Sequence, residues 1–317
     1  MNGKMMTKNN FWTRSKKPII ALAPMADITD APFRYLCESF GADVIYNEMV
    51  NVDAICFRNE KTLAMLKRYK SKKPFVVQLF GNKPENFSKA VKIIEKECAP
   101  DGYDINFGCP APKVLKNKCG AELFQDLDLS RAVISAVIGA TKKPVSVKTR
   151  IKAGKVDILA WLEHMKDLPI TAIMVHARKL SQGLSGPIDL KTLKEVKKKF
   201  KGIVLGNGGI ADCQDAQDMI KKTGVDGIGI AQGCLGKPWL FKELKKKREK
   251  RKDEKEVFKI ILKHARIHKK LYGDNMMPMR KHLCWYVNGL SGAKELRKKL
   301  VEVNTYKDIE RALKKAR

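Results

Sequence analysis

The segment DINFGCPAPKVLKNKCGAEL, residues 104–123, holds side chains suited to chemistry. An apolar run ends at Asn106, a Gly108-Cys109-Pro110 turn follows, and a second thiol stands at Cys119. A cysteine in such a loop can be a proton donor, a metal ligand, half of a disulfide, or a small packing residue. The chain has no CxxC pair, so a structural zinc site is not expected. The nearest metal-like pattern is His264 with His268, one helical turn apart, and two ligands do not complete a zinc site. Metal is therefore expected to be absent.

Similar residue types recur at the ends of other apolar runs. In chain order they are Pro24-Met25, Asn47-Glu48, Gln78, Asn106 with Cys109, Lys148 with Arg150, His176 with Arg178, Asn207 with Gly208-Gly209, and the stretch from Gly229 to Gly233. A lysine in VSVKTR and a histidine in IMVHAR sit inside strand-like segments. Burying such groups without partners is costly, so they point to a site.

The elements that must bring these residues together are eight short β-rich runs between residue 19 and about residue 240. They are PIIALAP, DVIYNEM, PFVVQLFG, YDINFGCP, PVSVKTR, AIMVHAR, IVLGNGG and VDGIGIAQG. Helical patterns over 31–40, 84–98, 127–140, 156–166, 189–199 and 212–222 lie between them. Near-continuous apolar strands alternating with helices read as a parallel sheet covered on both faces. Eight such units fit an α/β fold of the (β/α)8 TIM-barrel type better than an open doubly wound sheet. In that barrel the C-terminal strand ends form one rim, so the residues named above converge. The seventh and eighth ends are glycine-rich, which suits backbone N–H groups closing on a phosphate. Lys148 then suits the electron-rich edge of a bound heterocycle, and Gln78 its polar edge. A phosphorylated flavin fits that mouth.

After Leu244 the texture changes. KKKREKRKDEKE is a dense charge run, and residues 256–271 then show helical periodicity with Val257, Ile260, Ile261, His264, Ile267, His268 and Leu271 on one side. The expected division is a barrel over 1–244 and a small basic helical domain over 245–317. Trp285 and Tyr286 suit base stacking, but their spacing with Leu283 and Leu290 fits the helix core better.

The whole chain of 317 residues carries 64 Lys and Arg against 34 Asp and Glu, a net charge of +30. That excess points to a polyanionic partner, nucleic acid first, over a surface of balanced ion pairs. No run approaches a membrane span and the first residues lack a signal-peptide core, so a cytoplasmic protein with no membrane association is expected. Its eight cysteines should then be thiols.

The segments APMADITDAPFR, VVQLFG, DINFGCP, VSVKTR, VHAR, GNGGI, GKPWLF and MRKHLCWYVNG, in this order, resemble the tRNA-dihydrouridine synthases. The resemblance runs from about residue 18 to 313. It implies a flavoprotein oxidoreductase of tRNA processing, with a (β/α)8 barrel and a helical tRNA-binding domain. It implies FMN held by Pro24, Met25, Gln78, Lys148 and His176, with its phosphate on Asn207, Gly208, Gly209 and the strand-8 loop at Ala231 and Gln232. NADPH, or NADH, is the implied transient reductant, since no dinucleotide-binding unit is visible. Cys109 is implied as the proton donor. Asn106, Arg150 and Arg178 are expected to orient the uracil or its phosphate. Arg280 and Lys281 are expected in a basic RNA surface that runs from KELKKKREKRK to Arg297, Lys298 and Lys299. A monomer without a stable protein partner is expected.

The chemistry implied is reduction of the uridine 5,6-double bond, with hydride from flavin N5 to C6 and a proton to C5 from the opposite face. A thiol is protonated at neutral pH yet can give up its proton in a transition state. Two positions depart from the family pattern. Cys119 stands where a small residue is usual and reads as a packing substitute; a Cys109–Cys119 disulfide formed under oxidation would shut off the acid, and a cytosolic setting argues against it. Ala231-Gln232 stands where the family reads Gly-Arg, leaving the phosphate to backbone N–H groups and Lys237. Two other functions compete: a dihydroorotate-dehydrogenase-like enzyme of small molecules, and an RNA-binding module without flavin chemistry. The basic helical domain speaks against the first, and Cys109, Lys148 and His176 on one rim speak against the second.

Overall fold

The computed structural model describes residues 10–249 and 252–314. Residues 1–9 of the N-terminal stretch, and Lys250 and Arg251 of the charge run, lie outside the described residues.

Eight parallel strands close on themselves: β1 (Ile19–Leu22), β2 (Val44–Tyr46), β3 (Phe75–Phe80), β4 (Gly102–Phe107), β5 (Val145–Ala153), β6 (Ala172–Lys179), β7 (Ile203–Asn207) and β8 (Gly227–Ile230). The order runs β2-β1-β8-β7-β6-β5-β4-β3 and returns to β2 through Ile45 and Tyr46 beside Phe75 and Val76. Every strand run expected from the sequence is present. Two-residue strands extend the edges, Val50–Asn51 beside β3 and Val156–Asp157 antiparallel to β5.

Helices α1 (Ala31–Ser39), α2 (Pro84–Glu97), α3 (Leu127–Ala140), α4 (Ile158–His164), α5 (Leu190–Lys199), α6 (Cys213–Thr223) and α7 (Leu240–Lys246) cover the barrel. Five begin on an aspartate, Asp30, Asp126, Asp157, Asp189 or Asp212, whose carboxylate accepts first-turn N–H groups. β2 is followed by the short helices Val52–Cys56 and Glu60–Ala64 rather than one long helix. The barrel interior is filled by Ile19, Val44, Tyr46, Val76, Met174 and Leu205, and Trp12 of the short helix Phe11–Arg14 joins that cluster. Gly229 leaves room for Met174, whose sulfur would stand 2.5 Å from a Cβ there.

Four helices follow, α8 (Glu254–Tyr272), α9 (Arg280–Tyr286), α10 (Ala293–Leu300) and α11 (Tyr306–Lys314). Their core includes Val257, Ile261, Leu283, Leu296 and Ile309, but also Leu36 of α1 and Trp239 from the loop after β8. The helical unit therefore sits on the β8–β1 side of the barrel. Among the described residues no helix is long and apolar enough to cross a membrane.

Candidate active site

Strand register decides which side chains meet. Gln78 lies beside Asp104, Asp104 beside Ser146, and Asn106 beside Lys148. Arg150 lies beside His176, His176 beside Asn207, and Asn207 beside Gly229. Residues two apart on a strand share a face, so Asp104 with Asn106, and Lys148 with Arg150, project to the same side.

A buried polar chain runs through this face. Asp104 accepts the Ser146 hydroxyl at 2.6 Å and the Gln78 side-chain N–H at 2.7 Å. Gln78 Oε1 accepts from Asn106 Nδ2 at 3.0 Å, and Asn106 Oδ1 accepts the backbone N–H groups of Gly108 and Cys109 at 3.0 and 2.9 Å. Asn106 Nδ2 also touches Met49 Sδ at 3.4 Å. Burial pushes the Asp104 carboxyl up to about 6, against the pull of its two hydrogen bonds and of Lys148.

The Cys109 loop is held on its other side as well. Arg150 Nε donates to Gly108 O at 2.9 Å, and its Nη1 donates to Gly183 O at 2.7 Å and Lys179 O at 3.3 Å. The Ala121 N–H donates to Cys109 O at 3.2 Å. Gly120, at φ +63°, is required there, because a Cβ would stand 2.9 Å from that same oxygen. Cys109 is half-buried and its thiol is free. Cys119 is buried, also free, and donates to Asn117 O at 3.1 Å; burial pushes its thiol up to about 11.

Lys148 is half-buried and its ammonium makes no hydrogen bond or ion pair among the described residues. Burial and then the Arg150 charge bring it down to about 8. His176 is buried beside Arg178, whose Nη1 stands 3.3 Å from His176 Nε2. Burial, then the charges of Lys148, Arg150 and Arg178, push the imidazole down to about 3, so it is neutral at pH 7. A guanidinium can only donate, which makes Nε2 the acceptor and leaves the proton on Nδ1. Arg178 Nε also donates to Gly186 O at 2.8 Å.

The glycine turn after β7 packs directly against that histidine. Gly208 has φ +99°, and a Cβ there would stand 2.4 Å from His176 Cδ2. Gly209 follows at φ +69°, and its N–H has no acceptor among the described residues. Asn207 Nδ2 donates to Gly229 O at 2.7 Å, joining the ends of β7 and β8. At β1, Pro24 and Met25 form a half-buried turn in which Thr29 bonds the Met25 N–H at 3.1 Å and the Met25 carbonyl at 3.0 Å. Asn47 leaves its buried Nδ2 without a partner, and its Oδ1 accepts the Gln78 backbone N–H at 2.7 Å.

After β8, the Ala231 carbonyl takes the Cys234 N–H at 3.2 Å, and the Gln232 side chain is exposed. Lys237 forms an ion pair with the buried Glu243 at 3.2 Å. Arg280 is used within the helical unit, where it donates to Val303 O at 3.0 Å and Asn304 Oδ1 at 2.9 Å. Lys281 is half-buried, and its charge acts on Asp30 and Glu48 at the β1–β2 side of the rim. Tyr286 is buried with its hydroxyl 3.0 Å from His264 Nδ1, Trp285 is half-buried, and His268 Nε2 meets Asn275 O at 3.1 Å.

Gln78, Asn106, Cys109, Lys148, Arg150, His176, Arg178, Asn207 and Gly208 thus form one connected rim. The residues not singled out in the sequence are Asp104, Ser146 and Gly120. The signal for Asp104 is an acid inside the apolar run YDINF, which must find hydrogen-bond partners to be buried.

A closed parallel barrel with its basic, partly unpartnered side chains at the C-terminal strand ends is a TIM-barrel arrangement. The same fold appears in an old yellow enzyme homologue from Zymomonas mobilis, with a TM-score of 0.55 at 14% identity over 75% of this chain and 91% of that one. Histamine dehydrogenase from Rhizobium aligns at a TM-score of 0.59 and 13% identity, over 83% of this chain and 51% of that chain. The family model described as dihydrouridine synthase (Dus) matches residues 21–317. A probable tRNA-dihydrouridine synthase of Aquifex aeolicus is 30% identical over 307 residues, 95% of this chain and 97% of the relative. A tRNA-dihydrouridine synthase B of Pasteurella multocida is 32% identical over 281 residues, 86% of this chain and 84% of the relative. The chain belongs to the dihydrouridine synthase family of flavin-dependent, tRNA-modifying oxidoreductases.

The residues present fit a phosphorylated flavin. Lys148 and the buried Asn47 Nδ2 are donors without protein partners among the described residues, and Gly208 lets the turn after β7 close onto His176, where a Cβ would clash. The free N–H at Gly209 suits an anion.

Proposed function

We propose that the chain reduces specific uridines of tRNA to dihydrouridine, using FMN at this mouth and NADPH or NADH as reductant. The observation that carries the proposal is Lys148, a desolvated ammonium without a partner among the described residues, on the same rim as the free thiol of Cys109.

Pro24, Met25, Gln78, Lys148 and His176 would hold the flavin ring. Gln78 keeps one side-chain N–H for it, because the other bonds Asp104. Asn207, Gly208, Gly209 and the backbone at Ala231 and Gln232 would take the phosphate, without help from Lys237. FMN would supply the hydride that adds to C6 of the uracil. Cys109 would give its proton to C5 from the opposite face, and its sulfur would leave as thiolate with Arg150 and Lys148 nearby to stabilise it. A neutral His176 donates one N–H and adds no charge to the mouth.

Asn106 and Arg150 would orient the uracil by fixing the Cys109 loop, and Arg178 by its position beside His176. The uridine must leave its stack to reach the thiol, at a cost of about a few kcal/mol that phosphate contacts offset. Lys113, Lys116 and Lys118 after β4, Lys155 after β5, and Lys179 at the end of β6 are exposed on the same side of the barrel. Arg280, Lys281 and the rest of the helical unit from residue 245 would form the facing wall of the RNA site.

The test is to incubate dihydrouridine-free tRNA with the protein, FMN and NADPH, then map masses after digestion. Two added hydrogens at a defined uridine are expected. With Cys109→Ala, the gain should fall by about two orders of magnitude, in line with loss of a general acid. Full activity of that variant would remove Cys109 from the mechanism.

A further inference from the structure

We propose that Asp104 is a positioning residue for Cys109, acting through Gln78 and Asn106 on the backbone that carries the thiol. The proposal rests on Cys109 as the proton donor, but its consequences are also visible without that chemistry.

The orientation of both amides follows from donor and acceptor types alone. The N–H groups of Gly108 and Cys109 can only donate, so Asn106 must present Oδ1 to them, at 3.0 and 2.9 Å. Its amide nitrogen then faces Gln78, which must answer with Oε1, at 3.0 Å. Gln78 is left with its nitrogen toward residue 104, where only an acceptor satisfies it. Asp104 supplies one at 2.7 Å, while its second oxygen takes the Ser146 hydroxyl at 2.6 Å. Asp104, Gln78 and Asn106 are 0%, 1% and 7% exposed, so water does not compete readily for these groups.

Each amide therefore has one acceptable orientation, set at one end by the cysteine loop and at the other by the carboxylate. With no acceptor at 104, the Gln78 N–H is orphaned and the amide turns or admits water. Asn106 then loses its fixed neighbour, and the loop loses one of the groups that hold it. Asp104 makes no contact with the thiol, so its role is positional.

A rival account exists within the same geometry. The Asp104 carboxylate is also a counter-charge for Lys148. The two accounts separate by substitution. Asp104→Asn removes the charge but keeps an oxygen toward Gln78. Its new NH2 faces Ser146 Oγ, whose hydroxyl turns to Tyr103 O, already at 3.2 Å. Asp104→Leu removes both charge and acceptor.

The experiment uses the FMN-loaded protein and two readouts. One is single-turnover reoxidation of the reduced protein by dihydrouridine-free tRNA. The other is the rate of iodoacetamide alkylation at Cys109, resolved by peptide mass spectrometry without RNA. Asp104→Leu should slow reoxidation by at least about tenfold, the loss expected for an orphaned buried amide, and shift the Cys109 alkylation rate by at least about threefold. Asp104→Asn should stay within about threefold of the unsubstituted protein on both readouts.

Leucine at 104 within about twofold on both readouts overturns the proposal, as does an asparagine variant impaired as badly as the leucine one. If the leucine variant fails to fold, a polarity reversal decides instead. Asn106→Asp puts acceptors at both ends of Gln78, and adding Asp104→Asn restores a donor at one end. The double variant should reoxidise faster than Asn106→Asp alone, and an equal or slower rate overturns the proposal. Cys109→Ala reports separately on the acid: native reoxidation there removes the acid assignment, while the alkylation series still decides the relay.

Discussion

Gly236, in the loop after β8, is where the barrel meets the helical unit at backbone level. It has φ +70°, and a Cβ on it would stand 2.2 Å from Trp285 O and 2.5 Å from the Trp285 carbonyl carbon. Those are main-chain atoms of α9, which cannot rotate aside as a side chain would. Gly292 offers a matched control in the helical unit, at φ +65° with nothing within 4 Å of its Cβ position. Alanine at either site meets the same left-handed backbone penalty, about 1–2 kcal/mol. At Gly236 it also meets an overlap of about 1 Å against an ordinary carbon–oxygen contact. Relief requires α9 to move, and overpacking of that kind costs a further 1–3 kcal/mol or about that. Gly292→Ala should therefore lose about 1–2 kcal/mol and Gly236→Ala about 2–5 kcal/mol. Urea unfolding followed by tryptophan fluorescence measures both, and tRNA affinity should fall only for Gly236→Ala, because α9 carries Lys281. Equal losses for the two variants would show that the seam yields freely and would refute the argument.

Three further outcomes are expected. Gly208→Ala drives a Cβ to 2.4 Å from His176, so FMN affinity should fall by at least about tenfold in a flavin fluorescence titration; native affinity would detach that turn from the cofactor. His176 and His282 are both held at about 3, mainly by burial, so the unfolded chain binds protons below pH 6.5 that the folded chain refuses. Stability should thus fall as pH drops from about 6.5 toward 3, by about 1.4 kcal/mol per pH unit for each histidine. Asp30 and Asp104, raised to about 6, oppose this between about 6 and 3.8, because there the folded chain holds the extra proton. Replacing His282 with Gln should flatten the limb from pH 6.5 to 5, and an unchanged slope in urea titrations would sink that attribution. Replacing Lys113, Lys116 and Lys118 together with Ala should lower the salt slope of tRNA binding by up to about two units, and an unaltered slope would move the RNA path elsewhere.

The barrel was legible because its strands are continuous apolar runs that alternate with helical patterns, local features that survive folding unchanged. Polar or glycine residues near the ends of PVSVKTR and IVLGNGG mark the rim, although β5 runs on to Ala153 and β7 already stops at Asn207. What the sequence could not show was where the donors point. Arg150 was expected to orient the uracil or its phosphate and Arg280 to lie in the RNA surface, and the sequence did not show that their guanidinium groups also bond carbonyls of the protein, Gly108, Lys179 and Gly183 in one case and Val303 in the other. Those carbonyls lie far away in sequence and come within reach only after loops of no periodic pattern have folded. The helical unit was recognisable as helices, but not its attachment, since Leu36 and Trp239 look like ordinary barrel residues until α8 and α9 cover them.

Lys148 and Arg150 make the physical distinction clearest, because they stand two residues apart on one strand face. Arg150 carries a planar fork that bonds three carbonyls, so its charge is stabilised by dipoles and it can be buried for good. Lys148 is a point charge with no partner among the described residues, and burial already draws it down to about 8. A half-buried cation that the fold itself does not satisfy is tolerated where a ligand supplies the missing acceptor. The arginine thus builds the platform on which Cys109 sits, and the lysine is left exposed to whatever enters the mouth. Swapping the two types would undo this, because a lysine at 150 lacks the planar fork with which the guanidinium bonds three carbonyls. The order Lys-x-Arg thus sets a cation without a partner among the described residues beside one that the fold fully employs.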